Sequence, residues 1–364
     1  MRRKNLFLRF DKMLFLSPIL IFLIGLTSIY SASFKGNAPL HETLAMKQIL
    51  WMGVGILIVI VMARTDYFRL QDIAWPLYIV CLLLLVLVLF TPARLGAHRW
   101  IRVFGFNFQP SELAKLSTLL VLGRYFMTHR IETASRFEMT APFLIVGAPF
   151  LLILKEPDLG TALLFLPAFL TMLYLWGARL KFIGVLMAAG LLASPFLFHF
   201  LKDYQKTRLL VFMNPNLDPL GSGYTIIQSK IAIGSGGLIG KGFMGGTQNY
   251  LQFLPERHTD FIFGVIAEEG GFAASLAILV LFWLIVQKGF SISKSTPDRF
   301  GSQLACGITT LIASQAVINL GMTMGLLPVV GVPLPLVSYG GTSVLITMIF
   351  IGILLNIKIH RPIF

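Results

Sequence analysis

Residues 14–30 read LFLSPILIFLIGLTSIY, a stretch without a single charged side chain. A membrane-spanning helix needs about 20 mostly apolar residues, whereas the apolar core of a signal peptide has about 7–15. The stretch is too long for a signal peptide, although residues 31–33 (Ser-Ala-Ser) loosely imitate a cleavage site. We therefore predict a retained membrane helix at this position.

Further apolar runs of similar length follow, and together they predict about ten transmembrane helices. The candidate spans are 14–32, 48–63, 73–91, 111–127, 141–154, 159–177, 180–200, 261–286, 302–322 and 338–357. The two short spans, 48–63 and 141–154, are expected to begin within their flanking loops or to tilt little. The chain is thus predicted to be an all-α polytopic membrane protein that forms one domain over residues 1–364.

The overall composition agrees with a membrane protein. Hydrophobic residues make up 56% of the chain and charged residues 13%, and the mean hydropathy is +0.80. Average soluble domains are about 45–50% apolar and about 25% charged, so a soluble globular enzyme is excluded. Disorder needs low hydrophobicity, and strands of an outer-membrane barrel alternate in polarity, so both of these classes are excluded as well.

The chain is also basic, with a formal net charge of +14. In a soluble protein such an excess suggests a nucleic-acid partner. Here most Lys and Arg residues fall at the N-terminus and in alternate connections between spans, as cytoplasmic loops do. This bias predicts that both termini are cytoplasmic, and it explains the charge without nucleic acid.

One connection is much longer than the others, namely residues 201–260 between spans seven and eight, on the predicted outer face. Within it, residues 225–233 are predicted to form a short amphipathic helix at the membrane interface. Its Gly-rich stretch 234–242 fails the Walker pattern, and the G-x-G-x-x-G match at 240–245 has no preceding strand. Two readings stay open for this stretch: an anion cradle that includes Lys241, or a re-entrant turn.

Ionisable residues within spans are costly, so each needs an explanation. Glu112 and Lys115 are three residues apart near the start of the fourth span, and they either form a structural ion pair or line a polar cavity open to the outer face. Asp158 either caps the sixth span or lies at the same outer level as Glu112. Glu268 and Glu269, within the eighth span, need partners inside the protein or at a protein–protein contact.

Asp260 is the last polar residue before the apolar eighth span. It is either the N-cap of that helix or a proton acceptor, since partial desolvation would raise its pKa toward neutrality. Spacing alone does not decide between these two roles.

Several motifs in the chain resemble those of the SEDS proteins (shape, elongation, division and sporulation). The stretches that carry the resemblance are 96–101, 109–115, 156–162, 228–237, 254–263 and 328–343. Residues 246–248 (Gly-Thr-Gln) and 254–258 (Leu-Pro-Glu-Arg-His) are typical of the elongation branch of this family.

The resemblance implies a peptidoglycan glycosyltransferase for cell elongation and rod shape, located in the bacterial cytoplasmic membrane with its active site facing outward. Its substrate would be lipid II, and its partners would be a class B penicillin-binding protein and the elongation machinery. The family's essential acidic residue corresponds to Asp260, and Glu112, Lys115 and Asp158 correspond to residues of an outward cavity. A lipid II flippase, a secondary transporter and a scaffold without chemistry are the alternatives.

The implied reaction releases a pyrophosphate, so cations must meet its growing charge. The candidates in the substrate cavity are Lys115, Arg208, Lys230 and Lys241, with Arg257 behind them. A divalent cation such as Mg²⁺ or Mn²⁺ is a further expectation, with no ligands assigned. His258, Glu268 and Glu269 are expected to support the site or to contact a partner.

Overall fold

The computed structural model describes residues 10–34, 43–91, 99–103, 106–131, 135–200, 203–218, 221–251 and 253–361. The N-terminal basic residues Arg2, Arg3, Lys4 and Arg9, and residues 96–98 of the first motif, lie outside the described residues.

Helices dominate the described chain, as predicted. They are α1 (Lys12–Ser33), α2 (Leu44–Arg64), α3 (Arg69–Val88), α4 (Pro110–Thr128), α5 (Arg136–Lys155), α6 (Leu159–Trp176), α7 (Leu180–Phe200), α8 (Asp203–Met213), α9 (Ser222–Ser235), α10 (Thr247–Tyr250), α11 (Ile262–Ser295), α12 (Arg299–Thr323) and α13 (Gly341–His360). A short 3₁₀ turn at Pro215–Leu217 joins α8 to α9.

A small antiparallel hairpin between α3 and α4 departs from the all-α prediction. Its strands are β1 (Ile101–Val103) and β2 (Phe106–Phe108), with Ile101 opposite Phe108. Strands of three residues are too short to show an alternating pattern in the sequence. The hairpin leads directly into Pro110, the first residue of α4.

Among the described residues, eight helices are long and apolar enough to cross a membrane: α1, α2, α3, α5, α6, α11, α12 and α13. Helices α4 and α7 coincide with the other two predicted spans. The short predicted spans 48–63 and 141–154 extend into their flanking segments as expected, since α2 begins at Leu44 and α5 at Arg136. The side on which the termini lie stays a prediction.

Helix α12 lies at the centre of the bundle. It packs against α11, α6, α4, α9 and α13, and 78% of its most apolar 18-residue stretch is buried. Polar side chains on such a helix have only protein partners, so they need hydrogen bonds within the chain.

The long connection 201–260 is structured over its described residues. Helix α9 contains the predicted amphipathic segment 225–233, and α8 and α10 were not predicted. Helix α8 packs against α9, and α9 packs against both α11 and α12. The connection therefore covers one end of the bundle, the end that the predicted topology places outside.

Helix α11 is broken at Gly271, where φ is 65° and ψ is −160°. The Gly-rich stretch fills this break with backbone hydrogen bonds: the N–H groups of Lys241 and Gly242 donate to the carbonyls of Glu268 and Glu269, each at 3.0 Å. In return, the N–H of Phe272 donates to Gly237 at 2.9 Å. Since these amides are used within the chain, the structure favours the turn and not the anion cradle.

Candidate active site at one end of the helix bundle

Asp260 lies two residues before α11 and is half-buried. It is not the helix cap, because Phe261 occupies that position and no side chain caps the helix. Burial and then Glu256 raise the pKa of Asp260 to about 6, while Arg208 and Arg99 oppose the rise. A carboxylate with this pKa is largely ionised at pH 7 and accepts a proton readily.

Two arginines accompany Asp260. Arg208 on α8 donates from Nη1 to the carbonyl of Val329 at 3.4 Å, and its guanidinium lies 5.6 Å from the ring centroid of Tyr204. Gly331, at φ +71°, lies between Arg208 and the catalytic candidate: a Cβ there would be 3.4 Å from Oδ2 of Asp260 and 3.9 Å from Nη1 of Arg208. A side chain at this position would therefore crowd both groups.

Arg99 precedes the hairpin and connects it to the start of α6. Its Nη2 donates to the carbonyl of Pro157, and its Nε lies 3.7 Å from Oδ2 of Asp158. Arg99 belongs to the motif at residues 96–101, but no role was predicted for it. A single positive charge at a loop end has no periodicity that would distinguish it.

Asp158 is buried and fulfils the predicted capping role. Its Oδ1 accepts the backbone N–H of Thr161 at 3.2 Å, and its Oδ2 accepts the hydroxyl of Thr161 at 2.9 Å. Because Oδ2 also faces Arg99, the cap lies beside the arginine pair. Capping and membership of the candidate site are therefore compatible.

A narrow cavity opens between α6, α8 and the loop that follows α12. Its lining residues are Arg99, Pro157, Leu159, Tyr204, Gln205, Arg208, Leu209, Pro328, Val329 and Val330. Two arginines line the cavity, and Asp158 lies behind Arg99. The cavity is thus suited to an anionic group.

Glu112 and Lys115 form the ion pair that their spacing predicts. Lys115 Nζ lies 2.7 Å from Glu112 Oε1, and the two side chains are 1% and 4% exposed. Lys115 also donates to Oε1 of Gln315 at 3.1 Å. In this structure the pair is therefore buried within the protein, and neither residue lines the cavity. Release of Lys115 toward a pyrophosphate stays a prediction.

Four of the remaining candidates lie away from this cavity. Lys230 is exposed on α9 and lies against Gly325. Lys241 Nζ pairs with Glu268 Oε1 at 2.7 Å, beside the break in α11. Glu269 Oε1 accepts the hydroxyl of Ser31 at 2.5 Å. Both glutamates therefore have partners within the chain, as a buried carboxylate requires.

His258 and Arg257 precede Asp260 and connect its loop to other elements. The carbonyl of His258 accepts the N–H of Tyr339 at 2.9 Å, and burial lowers the pKa of the imidazole. Arg257 donates from Nε to the carbonyl of Ala32 at 2.8 Å. Arg257 therefore holds the loop against α1, which is a structural role.

Three further buried polar residues near the site were not predicted from the sequence. Glu156 is fully buried, and neither of its carboxyl oxygens has a hydrogen-bond partner among the described residues. Gln315 and Asn319 lie within the span 302–322 and are 4% and 0% exposed. Two amides spaced four residues apart within an apolar span are the signal that marks Gln315 and Asn319.

The described residues offer no preformed metal cage, since no group of three or more His, Cys, Asp or Glu side chains comes together there. Both oxygens of Asp158 already accept protein donors. The residues of the site therefore do not fit a protein-held divalent cation, and the expected Mg²⁺ or Mn²⁺ stays a prediction.

Comparisons with known proteins cover almost the whole chain. Residues 11–362 match the family FTSW_RODA_SPOVE, described as "Cell cycle protein". The peptidoglycan glycosyltransferase MrdB of Escherichia coli K12 is 40% identical over 349 residues, covering 95% of this chain and 94% of that protein.

Two solved structures are similar as well. A chain of a peptidoglycan synthase complex, studied for its coordination of polymerization and crosslinking, is 33% identical with a TM-score of 0.79 and coverage of 96% and 97%. The rod shape determining protein RodA of Thermus thermophilus is 29% identical with a TM-score of 0.72, and 97% of each chain is covered.

Proposed function

The chain belongs to the FtsW/RodA/SpoVE family, and on that premise we propose that Asp260 is the proton acceptor of a glycosyl transfer at the outer ends of its helices. The chain is a multi-pass membrane protein and a peptidoglycan glycosyltransferase with a role in elongation. The proposal concerns the residues that carry out this activity, the substrate and the partners.

The proposed substrate is lipid II, a disaccharide-pentapeptide on undecaprenyl pyrophosphate. The sugar 4-hydroxyl of an acceptor lipid II attacks the anomeric carbon of the terminal MurNAc of the growing glycan. A new C–O bond forms, the bond from that carbon to the pyrophosphate breaks with inversion, and Asp260 accepts the hydroxyl proton. The products are a glycan longer by one disaccharide unit and undecaprenyl pyrophosphate.

The observation that supports this assignment is that the Asp260 carboxylate has no hydrogen-bond donor among the described residues. It is half-buried, and no described residue donates a hydrogen bond to it or pairs with it within 4 Å. Its pKa is about 6, so it is ionised at neutral pH, and its lone pairs accept no hydrogen bond from the described residues. General bases need a pKa near the working pH and an accessible lone pair.

Arg208 and Arg99 supply the positive charge that the leaving pyrophosphate needs. Both line the cavity, and both act on the charge of Asp260. Fixed cations that face a developing anion stabilise the transition state more than the ground state. Lys115, Lys230 and Lys241 are secondary candidates, since they lie outside the lining of this cavity. No step of this mechanism passes through a metal ion.

The proposed partner is a class B penicillin-binding protein, which would crosslink the strands within the elongation machinery. The likeness to a chain of a peptidoglycan synthase complex supports this partner. The proposed location is the bacterial cytoplasmic membrane, with Asp260 facing outward, which agrees with the lysine and arginine bias of the loops.

The test uses the purified protein with its penicillin-binding partner and labelled lipid II. We expect glycan strands from the wild type and a loss of about 10²–10⁴-fold in Asp260→Asn. Asp203→Asn is the matched control, because Asp203 is exposed on α8. Normal polymer from Asp260→Asn would overturn the role of this residue. Normal lipid II transport without polymer from the wild type would favour the flippase alternative.

A further inference from the structure

Helix α12 carries buried polar residues on one face, spaced four residues apart: Gln315, Asn319 and Thr323. Residues with this spacing stack above one another along a helix. Gln315 and Asn319 donate to the loop that follows α12, and the carbonyl of Thr323 accepts the hydroxyl of Ser229 on α9. Since α12 is the central helix of the bundle, this row is well placed to fix those elements relative to one another.

Asn319 is the middle residue of the row, and both hydrogens of its amide are used. Its Nδ2 donates to the carbonyl of Asp260 at 2.9 Å and to the carbonyl of Val332 at 2.7 Å. The side chain is 0% exposed. It therefore holds the loop before α11 and the loop after α12 to one rigid element.

Gln315, one turn earlier, makes an equivalent connection. Its Nε2 donates to the carbonyl of Pro333 at 3.0 Å, and its Oε1 accepts Lys115 Nζ at 3.1 Å. Two neighbouring carbonyls of the same loop, those of Val332 and Pro333, are thus held by two amides of α12.

The loop that carries Asp260 is fixed through three consecutive carbonyls. That of His258 accepts the N–H of Tyr339 at 2.9 Å, and that of Thr259 accepts the hydroxyl of Ser338 at 2.6 Å. The carbonyl of Asp260 accepts Asn319. Of these three bonds only the last comes from a transmembrane helix, so Asn319 links the backbone of Asp260 directly to α12.

We infer that Asn319 is a positioning residue, which holds the backbone of Asp260 at the depth where its carboxylate faces Arg208. Gln315 holds the Glu112–Lys115 pair to the same helix. The inference rests on the proposed role of Asp260. Asn319 touches no reacting atom. Its effect is on the geometry of proton transfer, where a displacement of about 1 Å costs about 10²-fold in rate.

The test compares Asn319→Leu with Thr310→Val. Thr310 is buried on the same helix, and its hydroxyl donates within that helix to Cys306. We expect kcat for polymerisation to fall by about 10²-fold in Asn319→Leu, with KM for lipid II changed by less than about threefold. Thr310→Val should retain the wild-type kcat.

The pH dependence separates positioning from a loss of folded protein. If Asp260 moves toward water in Asn319→Leu, its pKa falls, and the acid limb of the rate profile shifts below pH 6. A smaller folded fraction would scale the whole profile and leave the limb in place. A folded Asn319→Leu protein with wild-type kcat and an unshifted limb overturns the inference.

A second variant decides the matter if Asn319→Leu does not fold. Asn319→Ser keeps a hydroxyl donor on α12 but is too short to reach the carbonyls of Asp260 and Val332 together. We expect about a tenfold fall in kcat with KM unchanged; an unchanged kcat would overturn the inference. If Asp260→Asn polymerises normally, the base assignment fails. If Asp260→Asn is inactive while both positioning variants are normal, only the positioning role fails.

Discussion

Asp11 and Asp260 lie at opposite ends of the bundle, which the predicted topology makes the inner and the outer end, and their carboxylates have opposite surroundings. At the inner end, Asp11 Oδ1 accepts the N–H groups of Met13 and Leu14, each at 3.1 Å. Its Oδ2 accepts a hydrogen bond from Nζ of Lys358 and lies 3.7 Å from Nζ of Lys288. At the outer end, no described residue donates a hydrogen bond to the carboxylate of Asp260.

The pKa values of the two groups follow from these surroundings. Burial on its own raises the pKa of Asp11, but the hydrogen bonds from Lys358 and Leu14, together with the charges of Lys358 and Lys288, outweigh it, so the pKa is lowered. Burial raises the pKa of Asp260 to about 6, because nearby Arg208 and Arg99 offset it only in part. A carboxylate whose oxygens accept hydrogen bonds from the protein stabilises the fold, whereas a carboxylate without such donors is able to accept a proton from a substrate.

The largest expected effect on stability concerns the buried pair at the outer end. Lys115→Met leaves Glu112 without its partner in a nearly closed site, which costs about 3–5 kcal/mol of unfolding free energy. Lys358→Met is the matched variant at the inner end; the Lys358 side chain is 27% exposed, so its loss costs about 1 kcal/mol or less. Thermal unfolding in detergent measures both. Equal losses would contradict the contrast between the two ends.

Replacement of Glu156 is expected to have a smaller effect on stability, and this effect depends on pH. Burial, and then Asp158, raise its pKa from 4.5 to about 9, while Arg99 opposes the rise. The unfolded chain loses this proton near pH 4.5 and the folded chain only near pH 9, so the contribution of Glu156 to stability falls as the pH rises between these values. We expect Glu156→Gln to match the wild type at pH 4 and to exceed its Tm by about 2–4 °C at pH 8. An equal Tm at pH 8 would show that Glu156 is not protonated in the folded state.

The smallest effect is expected for Asp11→Asn. Asparagine caps a helix as well as aspartate does, so only the attraction to Lys358 and Lys288 is lost. Because both lysines are partly exposed, we expect a loss of about 0.5–1 kcal/mol and an unchanged polymerisation rate. A clear loss of polymerisation would mean that the inner end takes part in the activity.

Local features of the site could be predicted from the sequence. The pairing of Glu112 with Lys115 follows from their spacing of three on a helix, and the cap by Asp158 follows from its place before an apolar run. Both contacts join residues three apart in the chain, which sequence patterns describe well.

Contacts between distant segments could not be predicted. The pairing of Lys241 with Glu268 and the hydrogen bond from Asn319 to Asp260 join residues 27 and 59 positions apart. The break at Gly271 depends on backbone donors from the Gly-rich stretch, and no helical period reveals such a partner. The free carboxylate of Asp260, which distinguishes it from a helix cap, is likewise a product of the tertiary structure.

The pH dependence of lipid II polymerisation between pH 5 and 8 tests most directly whether Asp260 is the outer carboxylate that accepts the proton. The rate should be level above about pH 7 and fall by about tenfold per unit below about pH 6. His258→Gln should leave this limb in place. A profile that is flat down to pH 5, or a limb that disappears in His258→Gln, would contradict the assignment of the base to Asp260.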